Sequence, residues 1–445
     1  MYILQSLVLI PLLACSFAGY GLLLKQKLNL RGEFIPIVVL AAIACLVYFS
    51  GLVGLLAPGA ILVMLGGVIA FALSLRRAII SGTSLFEVRL TFFGVGWTIG
   101  SLFFFSVLVR THLVHYDNFS HWAIVVKQML STNAFPTADS ALIDFKNYPL
   151  GISSFLYYVC RFAGHWEPMM ITAQGLLIFA SLYAMFGIIS EKKRFLLYAF
   201  LGLGTVSLSF FNLTIRINNL LVDFLLPIFT LAIFAIAYQY RRDPRRAFLA
   251  ALPIAGLLTV TKSTGIIFAA VGLIFLVFCV FSHRGTQRRA PLALRAFGTV
   301  AGALVPYLAW TLHMRLSFSH VENKFDISSI PAAKTDAQIS EITHLFLHNA
   351  TDLTTRPALG VVVVNILAIL VSIAAALAHK KWHLWKALIA LDAVLVAYYA
   401  GIWALYAYSM PWAEASWLAG FERYASSIVI LFVGGVLMLM LGMIG

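Results

Sequence analysis

Tyr116-Asp117-Asn118-Phe119-Ser120-His121-Trp122 sets a carboxylate, an amide, a hydroxyl and an imidazole side by side, directly after one of the most apolar runs in the chain. These are groups that accept, hold and orient protons, and the aromatics around them favour the headgroup level of a bilayer. An ionisable group beside hydrocarbon is costly, so this stretch predicts a site at the lip of a membrane rather than a connector. Further along, Asn218, Asn219 and Asp223 open one apolar run, Lys262 stands between two short ones, and Glu422-Arg423-Tyr424 precede the last. Asn219 and Asp223 are four positions apart, which predicts a shared helix face.

The elements that must position these residues follow from composition. Of 445 residues, 62% are apolar and 11% charged, so most segments cannot form a water-facing surface. The expected class is an all-α polytopic membrane protein of about 13 spans, near 2–24, 34–55, 58–75, 91–110, 169–190, 195–212, 217–240, 247–261, 264–282, 292–313, 357–379, 387–409 and 424–445. The opening run lacks a cleavage-like site and is expected to be a retained helix. No repeat or low-complexity tract divides the chain, so it is expected to be one transmembrane domain, with accessory spans in 1–90 and a core in 91–445. Cys15, Cys45, Cys160 and Cys279 lie in apolar runs without metal or redox spacing and are expected to be core residues.

The net charge of +14 follows from membrane orientation and needs no nucleic acid. One set of loops holds 20 of the 31 Lys and Arg, with only Glu33, Glu87, Glu191 and Asp243 as acids, whereas the opposite loops take twelve of the 17 acids. The basic side is therefore expected to be cytoplasmic, with the N-terminus outside and the C-terminus inside a cell membrane.

Two external segments are long. The apolar piece 152–163, after Pro149 and before Gly164, is too short to cross and predicts a short external juxtamembrane helix lying in the outer interface. Residues 314–356 form a polar external loop with no span of its own, of a length that is uncommon unless it binds something. Within it, Glu341, His344 and His348 fall at spacings of three and four, which would align them as ligands for a divalent metal or, more commonly, as a solvated helix face. Asn118-Phe-Ser, Asn212-Leu-Thr and Asn349-Ala-Thr are glycosylation-type triplets, which also arise by chance.

Asp117 after an in-to-out span, Tyr148-Pro149 opening a juxtamembrane helix, Thr261-Lys262-Ser263-Thr264-Gly265 after a later span, and Glu422-Arg423-Tyr424 before the last helix occur in an order that resembles the GT-C glycosyltransferases. The closest-looking branch uses polyprenyl-phosphate sugars and includes the protein O-mannosyltransferases and the lipid A aminoarabinose transferases. The likeness runs from about residue 91 to 445. It departs in carrying Tyr-Pro-Leu rather than Tyr-Pro-Pro and in lacking an Asp-x-Asp.

The resemblance implies transfer of a sugar from a polyprenyl-phosphate donor to an envelope glycan, lipid or protein at the outer face. Such a reaction needs a base for the acceptor hydroxyl and cations for the departing phosphate. Asp117 is the expected base with His121 orienting it; Lys262, Arg423 and Arg216 are the expected phosphate ligands. Tyr148, Trp122, Asn219, Asp223 and Glu422 are the expected substrate contacts. Each also has a plainer reading: Asp117 paired with Arg110, Trp122 and Tyr116 as belt aromatics, Lys262 snorkelling to the interface, and Arg216 paired with Asp223. A transporter or flippase for a lipid-linked or small solute is the rival, and would carry ionisable groups deeper in the bilayer, of which Asp392 is one. A non-catalytic partner in an envelope-assembly complex is a third reading.

Overall fold

The computed structural model describes residues 2–86, 91–191, 194–211, 218–283, 285, 288–318, 334–380 and 384–444. Their regular structure is entirely helical. A backbone in hydrocarbon has no water to bond, and a helix satisfies its amides within one segment. In chain order the helices are α1 (Tyr2–Leu28), α2 (Ile35–Leu52), α3 (Leu56–Ser81), α4 (Phe92–Leu108), α5 (Ala123–Thr132), α6 (Gly151–Ala163), α7 (Glu167–Met185), α8 (Phe195–Leu208), α9 (Leu225–Gln239), α10 (Pro244–Thr259), α11 (Gly265–Ser282), α12 (Arg289–Ser317), α13 (Asp336–Thr351), α14 (Arg356–Leu377), α15 (Leu384–Ala404), α16 (Trp412–Ala415) and α17 (Phe421–Ile444).

Among the described residues nine helices are long and apolar enough to cross a bilayer, which makes this a multi-pass membrane protein. Three more expected spans appear as shorter apolar helices, Phe92–Leu108, Phe195–Phe211 and Leu225–Gln239. The expected span 247–261 is α10, of 16 residues.

The chain forms two compact units. The first comprises Met1–Phe195 and Ile217–Ser319, and here α2 packs against α3, α6, α7 and α10, while α9, α10 and α11 pack on one another and α10 on α12. Loops that the charge distribution assigns to one side meet at one end of this unit. The Arg31 amide donates to Tyr240 Oη at 2.7 Å, its guanidinium to the Ile189 carbonyl at 2.8 Å, and Arg246 Nε to the Leu28 carbonyl at 2.8 Å.

The second unit, Leu196–Arg216 with His320–Gly445, packs α14, α15 and α17 together. Asn365 of α14 donates to Asp392 of α15 at 3.1 Å. The segment expected to be a structureless loop contains α13, started by a capping box in which the Thr335 hydroxyl accepts from the Gln338 amide and the Gln338 side chain accepts from the Thr335 amide.

The short helix α6 exists where the sequence predicts it, and it is packed inside the first unit. Every residue except Arg161 is buried, against α1, α2, α5 and α7. Its polar face, which suggested a water-facing side, bonds inward: Tyr158 Oη lies 3.3 Å from Ser16 Oγ, and Tyr157 Oη donates to Asn133 Oδ1 at 2.9 Å. The four cysteines are free thiols; Cys160 and Cys279 are buried, as core residues should be.

Candidate functional site

Two interruptions of helical structure meet at the end of the first unit opposite the Arg31–Tyr240 contact. The first precedes α9. The run beginning at Asn218 was expected to be helical, yet regular helix starts only at Leu225, so Asn219 and Asp223 share no helix face. This stretch is buried, and buried backbone must find partners. Side-chain amides supply them. The Leu220 amide donates to Asn118 Oδ1 at 2.8 Å and the Leu221 amide to Asn219 Oδ1 at 3.1 Å. Gln174 Nε2 donates to the carbonyls of Asn219 at 3.4 Å and Leu221 at 3.3 Å. Gln174 and Asn118 are thus positioning residues that motif reading missed; a lone amide inside an apolar span was the available signal for Gln174.

The second interruption joins α10 to α11. The chain reverses over five residues, and a Cβ on Gly265 would stand 2.0 Å from the Leu258 carbonyl oxygen. Only glycine lets α11 start so close to α10. Lys262, at the apex, does not snorkel outward. Its Nζ meets Asp223 Oδ1 at 2.6 Å, with side chains only 6% and 3% exposed, so the two interruptions are joined by a buried ion pair. The pairing of Asp223 is with Lys262; Arg216 lies outside the described residues.

The polar knot of residues 116–122 forms a turn of π-helix, Asn118–Trp122, continued by α5. Such bulges recur at functional sites because the extra residue rotates neighbouring side chains onto new faces. Here Tyr116 and Phe119 face outward at 72% and 50% exposure, as belt aromatics would. Asn118, Ser120, His121 and Trp122 turn inward. Asn118 is fully buried, so its triplet is closed to glycosylation. The Asp144 amide donates to the Ser120 carbonyl at 3.1 Å, pinning the segment before Tyr148 to this turn. Gly151, just after Pro149, donates its amide to the Val260 carbonyl at 2.9 Å, which ties the start of α6 to the residues before Lys262.

His121 sits at the centre of what this assembles. Its ring centroid is 5.1 Å from Tyr148, 4.7 Å from Trp122 and 5.9 Å from Phe145, all edge-on. Trp122 is therefore a buried aromatic, packed 5.8 Å from Tyr148, and not part of a lipid belt. Neither ring nitrogen of His121, nor Ser120 Oγ, has a hydrogen-bond partner among the described residues, although all three atoms are buried. Burial pushes the imidazole down to about 4; the Asp117 carboxylate opposes that shift and the Lys262 ammonium adds to it. The ring is neutral at physiological pH, able to accept at one nitrogen and donate at the other.

Asp117 stands at the start of this turn, its side chain 28% exposed, with Oδ1 3.8 Å from His115 Nδ1 and its amide donating to that nitrogen at 3.1 Å. Asp117, His121, Trp122, Tyr148, Asn219, Asp223 and Lys262 all belong to the first unit. Glu422 and Arg423 open α17 in the second, with the Arg423 guanidinium 5.5 Å from the Tyr424 ring centre.

No cluster of three or more His, Cys, Asp or Glu among the described residues is arranged to hold a metal. Glu341, His344 and His348 lie on an exposed face of α13. Compared with protein-family models, curated proteins and solved structures, the chain matches none.

Proposed function

We propose that this protein is an integral-membrane glycosyltransferase of GT-C type that moves a sugar from a polyprenyl-phosphate donor to a cell-envelope acceptor at the external face. The observation that carries the reading is His121, a buried neutral imidazole whose two nitrogens have no hydrogen-bond partner among the described residues, within electrostatic reach of Asp117 and Lys262 and edge-on to Tyr148 and Trp122. A buried polar atom left without a partner costs about 1–3 kcal/mol, so these nitrogens are suited to bonding a substrate hydroxyl.

In this reading the acceptor hydroxyl oxygen attacks the anomeric carbon, its proton passes to Asp117, and the bond from that carbon to the phosphate oxygen breaks. The electron pair leaves with the polyprenyl phosphate. His121 orients the carboxylate or the acceptor hydroxyl. Lys262, with Arg423 and Arg216 as the resemblance implies, balances the charge developing on the phosphate. Tyr148, Trp122, Asn219 and Asp223, all of the first unit, are the proposed sugar contacts, and Glu422 of the second is proposed as a further one. A divalent metal, where the reaction uses one, would supply Lewis-acid stabilisation of the charge on the departing phosphate.

The test is incubation of the purified protein with candidate polyprenyl-phosphate sugars, following donor consumption. Asp117→Asn is expected to lower transfer by about 10²- to 10⁴-fold while insertion in the membrane is retained. Undiminished transfer by that variant removes the assignment of Asp117.

One observation favours a second reading. Lys262 already has its charge balanced by Asp223 at a pair of helix interruptions, and Asp392 lies within a span bonded to Asn365. Intramembrane ionisable pairs at broken helices also suit a transporter or flippase. Movement of a labelled polyprenyl-phosphate lipid across proteoliposomes, without sugar transfer, would select that function.

A further inference from the structure

At the end of α10 opposite Lys262, the starts of α10 and α12 line an open pocket of about 460 Å³ that includes the exposed side chains of Arg242, Arg288 and Arg295. Three other arginines at this end, Arg31, Arg194 and Arg241, are engaged by the protein itself. Arg31 bonds Glu33 and the Ile189 carbonyl, Arg194 meets Glu191 at 2.7 Å, and Arg241 lies 4.2 Å from the Tyr238 ring centre. The one carboxylate at the pocket, Asp243, caps α10 by accepting from the Arg246 amide and pairs with Arg246 Nε at 3.3 Å. Among the described residues the guanidinium groups of Arg242, Arg288 and Arg295 have no hydrogen-bond or ion-pair partner. Three like charges gathered at one opening repel one another unless an anion joins them.

The pocket's position and floor narrow the anion. Arg288 immediately precedes α12, a helix long and apolar enough to span, and the ends of such helices meet the phosphate level of a bilayer. The floor includes Pro291 and Leu292, which would meet glycerol and acyl carbons rather than a hydrated free ion. Guanidinium forks match phosphate oxygens bidentately, and basic pockets at the ends of membrane helices select anionic headgroups.

We propose that this pocket binds the phosphate of an anionic phospholipid from the adjoining leaflet, held by Arg242, Arg288 and Arg295. The site is separate from His121 and requires no sugar transfer.

The full-length protein in detergent micelles is titrated with phosphatidylglycerol, with phosphatidylcholine of the same acyl chains, and with inorganic phosphate, reading bound lipid by native mass spectrometry and the rise in apparent Tm. Phosphatidylglycerol is expected to bind about tenfold or more tightly than phosphatidylcholine. The triple variant Arg242→Gln, Arg288→Gln, Arg295→Gln is expected to abolish that preference, and Arg288→Gln alone to weaken it about threefold, a readout that survives if the triple variant misfolds. Arg245→Gln, outside the pocket, should change nothing. Equal phosphatidylglycerol affinity in wild type and the Arg288 and triple variants overturns the site. Inorganic phosphate binding as tightly as phosphatidylglycerol overturns the lipid assignment.

Discussion

Lys262 and Asp223 meet at 2.6 Å, and Arg194 and Glu191 at 2.7 Å, yet the first pair is 6% and 3% exposed and the second 44% and 60%. Nearly equal distances describe different physics. The exposed pair sits in water, pays side-chain entropy and is screened by salt, so it anchors a loop with little net effect. The buried pair has lost hydration on both ions, and its attraction largely offsets that loss rather than adding stability. A buried pair therefore signals that something other than stability retains it. Here it fastens two helix interruptions within electrostatic reach of His121, whose nitrogens have no hydrogen-bond partner among the described residues.

The sharpest way to break this comparison is to remove one buried partner. Lys262→Met leaves Asp223 buried and uncompensated and is expected to cost about 3–5 kcal/mol, whereas Lys262→Met with Asp223→Leu should recover most of that loss. Thermal unfolding in detergent reads both. An unchanged Tm in the single variant would mean that Asp223 finds water.

Next in size is the pH response of His121. Folded, its ring stays neutral down to about 4; unfolded, it takes a proton near 6.5. The unfolded chain thus binds more protons between those values, and stability falls as pH drops through that window, by about 3 kcal/mol in all. His121→Gln should flatten that part of the Tm profile relative to wild type; superimposable profiles would count against a buried neutral ring.

Gly265→Ala is expected to cost about 1–3 kcal/mol, because its Cβ must push the Leu258 carbonyl aside. Retained stability would show that α10 and α11 can separate there. Arg194→Ala should stay within about 0.5 kcal/mol. A larger loss would erase the contrast between the exposed pair and the buried one.

The sequence carried the membrane class and most helix positions. It also picked out Asp117, His121, Tyr148, Asp223 and Lys262 because ionisable and aromatic groups stand out in apolar surroundings. It missed the break before Leu225, since Leu220-Leu221-Val222 are apolar whether coiled or extended. It also left open what α6 packs against. Serines and tyrosines on one face look alike whether they meet water or, as here, Ser16 and Asn133.

Hydropathy by itself determined that the chain must fold as helices in a bilayer, because only a helix bonds its own backbone there. Which apolar faces meet lipid and which meet protein was left to the tertiary structure, because lipid tails are as apolar as leucine and the periodicity that separates core from surface in water fades. The same holds for the pairing of Asp223 with Lys262 and the turning of His121 inward. Both depend on long-range packing of helix ends that no local spacing encodes.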